Sequence, residues 1–152
     1  MSSSEAAVTH PNREYLNFRG AWTVYCLIVG AIHLFFLSLE FLSTEWSWTL
    51  TVVAHSVITF FVFHVTKGVP WLTVFDETDS DKTVWEQLDD GLQLTPTRKF
   101  LIVVPIVLFF LDTFYTHHDN THFLINVAAL LGCLLPKLEI FFGVRLFNIN
   151  KY

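Results

Sequence analysis

Residues 21–42 read AWTVYCLIVGAIHLFFLSLEFL, a mostly apolar run of 22 residues. At about 1.5 Å per residue, a helix of that length crosses a hydrocarbon core of roughly 30 Å. The run is too long for the apolar part of a signal peptide, and no small-residue cleavage site follows it. The stretch therefore predicts a membrane-spanning helix.

The composition of the whole chain also indicates a bilayer environment. Of its 152 residues, 53 % are hydrophobic and 15 % are charged, where a soluble domain averages about 25 % charged. One core in a chain of this size cannot cover that much apolar surface. A disordered chain would need low hydrophobicity, so that class is excluded too. The net charge of −5, without a basic patch, argues against a nucleic-acid partner.

Three more apolar segments complete a predicted set of four spans, which are 21–42, 46–64, 97–116 and 122–142. A short Ser-Thr-Glu turn at 43–45 joins the first two as a hairpin of antiparallel helices. The third span is predicted to start at Thr95 and Pro96, an N-cap followed by proline at the first helical position. The fourth is interrupted at Pro136, where we expect a stop or a kink.

The distribution of positive charge predicts the orientation of these spans. None of the nine Lys and Arg residues lies at 43–45 or 116–121. By the positive-inside rule, the arm 1–20, the loop 65–96 and the tail 143–152 are therefore cytosolic. Arg98 and Lys99 are expected to extend to the interface at the start of the third span. A re-entrant hairpin of the last two runs, with 117–120 inside the bilayer, is the alternative.

The loop between the second and third spans contains a predicted short helix. A T-x-x-E capping box begins at Thr83. Apolar residues then recur at Val84, Leu88 and Leu92, which is the spacing of one helical face. We predict an amphipathic helix that lies at the interface or against a partner. The predicted fold is thus an all-α membrane protein with four transmembrane helices and this short cytosolic helix between spans 2 and 3.

Residues that could support catalysis are few. His118 and His122 have the i, i+4 spacing of helical metal ligands, but no further histidine box accompanies them. No nucleophile elbow, phosphate loop or dinucleotide motif is present. Glu40 and Asp112 lie near span ends, where we expect snorkelling or contacts to nearby histidines such as His33; a proton pathway is the alternative. We therefore predict no catalytic residue, no metal and no cofactor.

Several motifs resemble the Orm family, called ORMDL in animals. They are Pro-Asn at 11–12, WEQLDDG at 85–91, RKFL at 98–101, PIVL at 105–108 and GVRLFNINKY at 143–152. The resemblance covers about residues 10–152. It implies a non-catalytic, multi-pass protein of the endoplasmic-reticulum membrane with four transmembrane helices and both termini in the cytosol.

The resemblance also implies partners and site residues. Family members bind serine palmitoyltransferase, which starts sphingolipid synthesis, and restrain it when ceramide is plentiful. By the Pro-Asn motif, Asn12 is the expected ceramide contact, and an Asn side chain can both donate and accept hydrogen bonds. Pro11, Trp85, Glu86 and Gln87 are candidates for the partner interface. The alternatives are an assembly or trafficking adaptor without lipid sensing, and a His-metal membrane enzyme.

Overall fold

The structure, a computed structural model, describes residues 19–67 and 81–144. Every regular element in these two ranges is helical, so the predicted all-α class is confirmed. The five α-helices are α1 (Ala21–Leu37), α2 (Thr44–Phe60), α3 (Val84–Gln87), α4 (Pro96–Tyr115) and α5 (Asn120–Leu134). Helix α2 continues as a π-helical turn, Phe61–Val65, and short 3₁₀ turns follow α3 (Leu88–Gly91) and α5 (Leu135–Lys137 and Glu139–Phe141).

Helix α2 is the centre of the bundle and packs against α1, α4 and α5. Its buried side chains are mostly polar: Ser47, Thr49, Thr51, His55, Ser56 and Thr59. Its apolar side chains Val57, Ile58 and Phe60 are exposed. A helix with its polar side chains turned inward and its apolar ones outward is typical of apolar surroundings.

The helices differ in how well they could cross a bilayer. Among the described residues, Thr44–Val65 is the one helix that is both long and apolar enough to span a membrane. Helix α1 is apolar but has 17 residues, and α5 has 15. Helix α4 has 20 residues and carries Arg98, Lys99 and Asp112. The set of four predicted spans therefore stays a prediction.

The turn between α1 and α2 lies earlier than predicted. Helix α1 ends at Leu37, where the Ser38 hydroxyl donates to the Phe35 carbonyl oxygen at 2.7 Å. Ser43 is already the N-cap of α2, and its side chain accepts from the Trp46 amide. Because serine caps helices well, the predicted turn at 43–45 is instead the start of the second helix.

Helix α3 has the predicted start but not the predicted length. The capping box is confirmed, since the Thr83 amide donates to Glu86 Oε2 at 2.8 Å and the Glu86 amide donates to the Thr83 hydroxyl. Asp89 and Asp90 adopt left-handed φ angles of 52° and 56°, a region that Asp tolerates better than most residues. The predicted amphipathic helix through Leu92 is therefore wrong, and Leu92 is exposed.

Helix α3 is also buried, and does not lie on the surface. Val84, Trp85 and Leu88 join a core cluster with residues from three other elements, which are Ala21, Phe63 and Leu101. Thr66, which follows the π-helical turn, also contacts this cluster, because the Val84 amide donates to the Thr66 carbonyl oxygen at 3.1 Å. Residues 83–88 thus pack against the end of the bundle.

The last two helices begin with regular caps. The Thr95 hydroxyl accepts from the Arg98 amide, and Pro96 opens α4, which confirms the predicted helix start. Asp119 caps α5, because its carboxylate accepts from the Thr121 and His122 amides at 2.9 and 3.3 Å. Helix α5 ends at Leu134, before Pro136, so the 122–142 segment is helical in α-form only over its first part.

Candidate functional site

The predicted site residues fall into two groups. Pro11 and Asn12 lie outside the described residues. Trp85 and Gln87 are buried, with 2 % and 3 % of their surface exposed, and Glu86 is half-buried in the capping box. The predicted contact of these three residues with a partner protein stays a prediction, and the structure shows what they do within the chain.

Arg98 holds the end of α3 against the start of α4. Its Nη2 atom donates to the carbonyl oxygens of Trp85 and Leu88 at 2.7 and 2.9 Å, and its Nη1 atom donates to Gln93 Oε1 at 3.1 Å. The side chain is 1 % exposed, so the prediction that it extends to the interface is wrong. Lys99 is exposed. The guanidinium turns inward because it satisfies carbonyl groups that the short α3 helix leaves without partners.

Two buried cations lie close to the Trp85 ring. The Arg98 guanidinium carbon is 4.7 Å from the centre of the Trp85 ring, and Lys137 Nζ is 6.0 Å from it. Lys137 donates to the Leu101 carbonyl oxygen at 2.9 Å and contacts Cys133 Sγ at 3.3 Å. We call Trp85, Arg98 and Lys137 the Trp85 cluster. Cation–π contacts and carbonyl oxygens offset the desolvation of the two charges.

A groove opens beside the Trp85 cluster. It has a volume of about 580 Å³, within the range of about 300–1,000 Å³ that ligand pockets occupy. It lies between the end of α2, helix α3 and the 3₁₀ turns after α5, and we call it the Trp85 groove. Its lining residues are Phe60, Phe61, His64, Val65, Thr83, Trp85, Glu86, Leu135, Pro136, Phe141, Phe142, Gly143 and Val144.

A second polar group joins α2, α4 and α5 at the other end of the bundle. The Thr49 hydroxyl donates to Asp112 Oδ1 at 3.2 Å and bonds His122 Nδ1 at 2.8 Å. The Asn126 amide donates to Thr49 Oγ1 at 3.3 Å and to Asp112 Oδ2. We call Thr49, Asp112, His122 and Asn126 the Asp112 network. Each of the three helices contributes at least one member, so the network acts as a cross-link.

The Asp112 network corrects the expectation for Asp112 and places the two spaced histidines in different surroundings. Asp112 is fully buried, so it neither snorkels nor contacts His33; its partners are Thr49 and Asn126. His118 is exposed with a left-handed φ of 59°, while His122 bonds Thr49. Over residues 19–67 and 81–144, no three or more His, Cys, Asp or Glu side chains are grouped closely enough to hold a metal ion.

Polar contacts also join α1 to α2. The Tyr25 hydroxyl bonds His55 Nε2 at 2.7 Å, and His33 Nδ1 bonds the Thr51 hydroxyl at 2.9 Å. Sequence reasoning missed this inward polar face of α2. A signal for it exists, because polar residues recur every four positions at Ser47, Thr51, His55 and Thr59.

Over the described residues, these polar contacts join the helices of the bundle to one another. Comparisons with known proteins agree with the resemblance that the motifs indicate. The model of the ORMDL family matches residues 10–145. The chain is 48 % identical to the ORM1-like protein of Drosophila melanogaster over 143 residues, which covers 94 % of this chain and 93 % of the relative.

Two human relatives match over a similar share of the chain. The chain is 49 % identical to ORM1-like protein 2 and 45 % identical to ORM1-like protein 1, each over 147 residues and 94 % of both chains. Identity at this level along nearly the whole length leaves one family assignment. The chain therefore belongs to the ORMDL family.

Proposed function

We propose that this chain is a non-catalytic regulatory subunit that binds serine palmitoyltransferase and restrains sphingolipid synthesis when ceramide is plentiful. The observation that carries the proposal is the family match over residues 10–145, with relatives 45–49 % identical across 94 % of the chain. Membership of the ORMDL family implies an Orm-type regulatory role, and that role needs binding surfaces and no reactive group.

The proposal places the chain in the endoplasmic-reticulum membrane with four spans and both termini in the cytosol. The exposure of large apolar side chains supports this placement. Phe110 and Phe114 of α4 and Leu124 of α5 are 66 %, 68 % and 68 % exposed, whereas Asp112 and Asn126 of the same helices are fully buried. A soluble bundle would reverse that distribution, while lipid tails solvate the apolar faces and leave the polar groups to pair inside.

Ceramide sensing is assigned to Asn12 on the strength of the Pro-Asn motif. An amide side chain both donates and accepts, so it can bond the amide and hydroxyl groups of ceramide. Ceramide then needs only to bind the restrained state of the enzyme complex better than the open state. The buried Trp85 and Gln87 serve this function indirectly, by holding the loop, and half-exposed Glu86 is the member of that motif with more surface for a partner.

The test is long-chain-base synthesis in membranes from cells that lack their own Orm proteins, with this chain added back. Ceramide is titrated, and Asn12→Ala is measured beside the parent chain and beside Asn17→Ala as a matched control. We expect ceramide to lower synthesis with the parent and with Asn17→Ala. With Asn12→Ala the inhibition weakens, while co-purification with the enzyme is unchanged.

Two results would contradict the proposal in different ways. Stable co-purification with no ceramide response in the parent chain would indicate an assembly or trafficking adaptor without lipid sensing. Correct membrane insertion with neither co-purification nor any effect on synthesis would remove the regulatory assignment altogether.

A further inference from the structure

The Trp85 groove has apolar walls that continue onto the outer surface of the bundle. The end of α2 contributes Phe60 and Phe61, and the segment after α5 contributes Leu135 and Phe141. All four side chains are at least 37 % exposed. Ile140 is 81 % exposed beside them. The groove is thus part of an apolar face that lies against lipid if the proposed placement in the membrane holds.

Two ring nitrogens at the groove have no hydrogen-bond partner. Trp85 Nε1 and His64 Nε2 are both buried, and within the described residues neither has an acceptor or donor. Both residues line the groove, and their ring centres are 5.6 Å apart. Buried polar groups without partners are rare and unfavourable. Because an indole N–H is a donor only, Trp85 calls for an acceptor oxygen from a bound molecule.

The charges near Trp85 favour such an oxygen. Arg98 and Lys137 lie 4.7 and 6.0 Å from the centre of its ring. The acidic group at the groove, Glu86, has its carboxylate engaged by the Thr83 amide at 2.8 Å. Two buried cations produce a positive potential at this end of the groove, which attracts an oxygen with partial or full negative charge.

We propose that the Trp85 groove binds one acyl chain of a membrane lipid, with an ester, amide or phosphate oxygen of that lipid accepting from Trp85 Nε1. The apolar walls match the acyl chain, and Trp85, which lines the groove, has an indole donor without an acceptor that matches the oxygen. A lipid is favoured over a peptide because the apolar walls continue onto exposed apolar side chains such as Phe61 and Leu135. The proposal depends on the proposed function only through the membrane placement.

The test is photo-crosslinking of the full-length chain in phosphatidylcholine vesicles. One arm carries a phosphatidylcholine with a diazirine in its acyl chain, and the other carries a ceramide with the same diazirine. We expect saturable labelling of peptides that contain Phe60, Phe61, Leu135 or Phe141. Labelling in the first arm alone identifies a glycerophospholipid, in the second arm alone a sphingolipid, and each of these results supports the proposal.

Matched variants separate the groove from general lipid contact. Val144 lines the groove and Val107 lies on α4, and both are 49 % exposed. Val144→Trp fills the groove and should lower saturable labelling at least five-fold, whereas Val107→Trp should leave it unchanged. Trp85→Phe keeps an aromatic ring and removes the indole donor. It should raise about ten-fold the concentration of unlabelled lipid needed to compete with the diazirine lipid. If Trp85→Phe misfolds, the comparison of Val144→Trp with Val107→Trp still tests whether the labelling occurs in the groove.

A second readout reports the donor itself. In chain labelled with ¹⁵N-tryptophan, the Trp85 indole N–H resonance should move downfield when the identified lipid is added, as expected for a new hydrogen bond. Labelling that is spread evenly over the outer helix faces, does not saturate, or is equal in Val144→Trp and Val107→Trp would overturn the proposal. Labelling that a partner protein replaces completely at natural lipid levels would overturn it as well.

The groove proposal and the proposed ceramide-sensing function can be tested independently of each other. Asn12→Ala should leave groove labelling unchanged even where it abolishes the response of long-chain-base synthesis. Loss of groove labelling in Asn12→Ala would show that the groove is not an independent lipid site and would overturn the proposal.

Discussion

Arg98 holds both the ring and the backbone of Trp85: its guanidinium lies 4.7 Å from the ring centre, and its Nη2 atom donates to the Trp85 carbonyl oxygen at 2.7 Å. This relationship joins two of the five motifs that resemble the Orm family, WEQLDDG at 85–91 and RKFL at 98–101. Because one buried side chain satisfies carbonyl groups of α3 from the start of α4, the loop and the bundle are stabilised together.

A replacement of Arg98 that keeps the positive charge should therefore still destabilise the fold. Arg98→Lys keeps the cation but loses the fork that reaches two carbonyl groups. We expect a loss of about 2 kcal/mol in the free energy of unfolding, since hydrogen bonds to charged groups contribute about 1.5–3 kcal/mol. The measurement is unfolding by SDS in mixed micelles, followed by far-UV circular dichroism. The control Lys99→Ala changes an exposed neighbour and should stay within about 0.5 kcal/mol; equal losses in the two variants would be inconsistent with the clamp.

The Asp112 network predicts a specific role for the Thr49 hydroxyl. Thr49→Val preserves the shape of the side chain and removes its bonds to Asp112, His122 and Asn126. We expect a loss of about 1–2 kcal/mol, because interhelical hydrogen bonds in membranes contribute modestly but a buried carboxyl group is left with fewer partners.

Thr113→Val is the matched control for the Thr49 experiment. The Thr113 hydroxyl bonds the Phe109 carbonyl oxygen of its own helix at 2.9 Å, so its loss breaks no cross-link. The same SDS titration measures both variants. A Thr49→Val variant as stable as Thr113→Val would show that the network does not stabilise the bundle.

The N-cap of α5 predicts a pH dependence. Hydrogen bonds from the His122 and Thr121 amides lower the pKa of Asp119 below its ordinary value of 3.8. A carboxyl group whose pKa is lower in the folded state stabilises the fold above the unfolded-state pKa, and this contribution disappears as the pH falls through the folded-state pKa. Asp119→Asn keeps a good cap but cannot titrate.

The measurement is the melting temperature of the parent and Asp119→Asn between pH 7 and pH 2. The parent should be the more stable at neutral pH, and the difference should shrink to zero at the acidic end. Because other carboxyl groups titrate in both proteins, the difference between the two curves isolates Asp119. A difference that is constant with pH would contradict the lowered pKa.

The proposed topology makes a prediction about accessibility. In a background with Cys26→Ala and Cys133→Ala, a membrane-impermeant maleimide should label Asp81→Cys in intact microsomes. It should label Asn120→Cys only after permeabilisation. Both positions are exposed, so access is decided by the membrane. No labelling of Asn120→Cys even after permeabilisation would favour the re-entrant hairpin, and labelling in intact microsomes would contradict the proposed topology.

Local features of the chain were predictable because their causes are local. The capping box at Thr83 and Glu86, and the start of α4 at Thr95 and Pro96, depend on bonds between residues three positions apart. The predicted helix through Leu92 failed because Asp89 and Asp90 leave helical geometry, and apolar spacing does not report that change. The predicted turn at 43–45 failed because Ser43 is both a turn residue and a strong helix cap.

The direction of long polar side chains was not predictable in the same way. Arg98 and Lys99 are adjacent cations at the start of one helix, yet one is buried and the other exposed. The difference arises from carbonyl groups of α3 that lie thirteen and ten residues away along the chain. Likewise, the sequence does not indicate that Asp112 and Asn126 both bond the Thr49 hydroxyl.

By itself the sequence determined the helical class and the family, because hydropathy and motifs are properties of composition and order. Only the tertiary structure decided which polar groups pair within the bundle, that the WEQ segment is buried, and that a groove with an unpaired indole donor opens beside it. Those features depend on packing between segments distant in the chain, where burial of a polar group is costly unless its hydrogen-bond partner is buried with it.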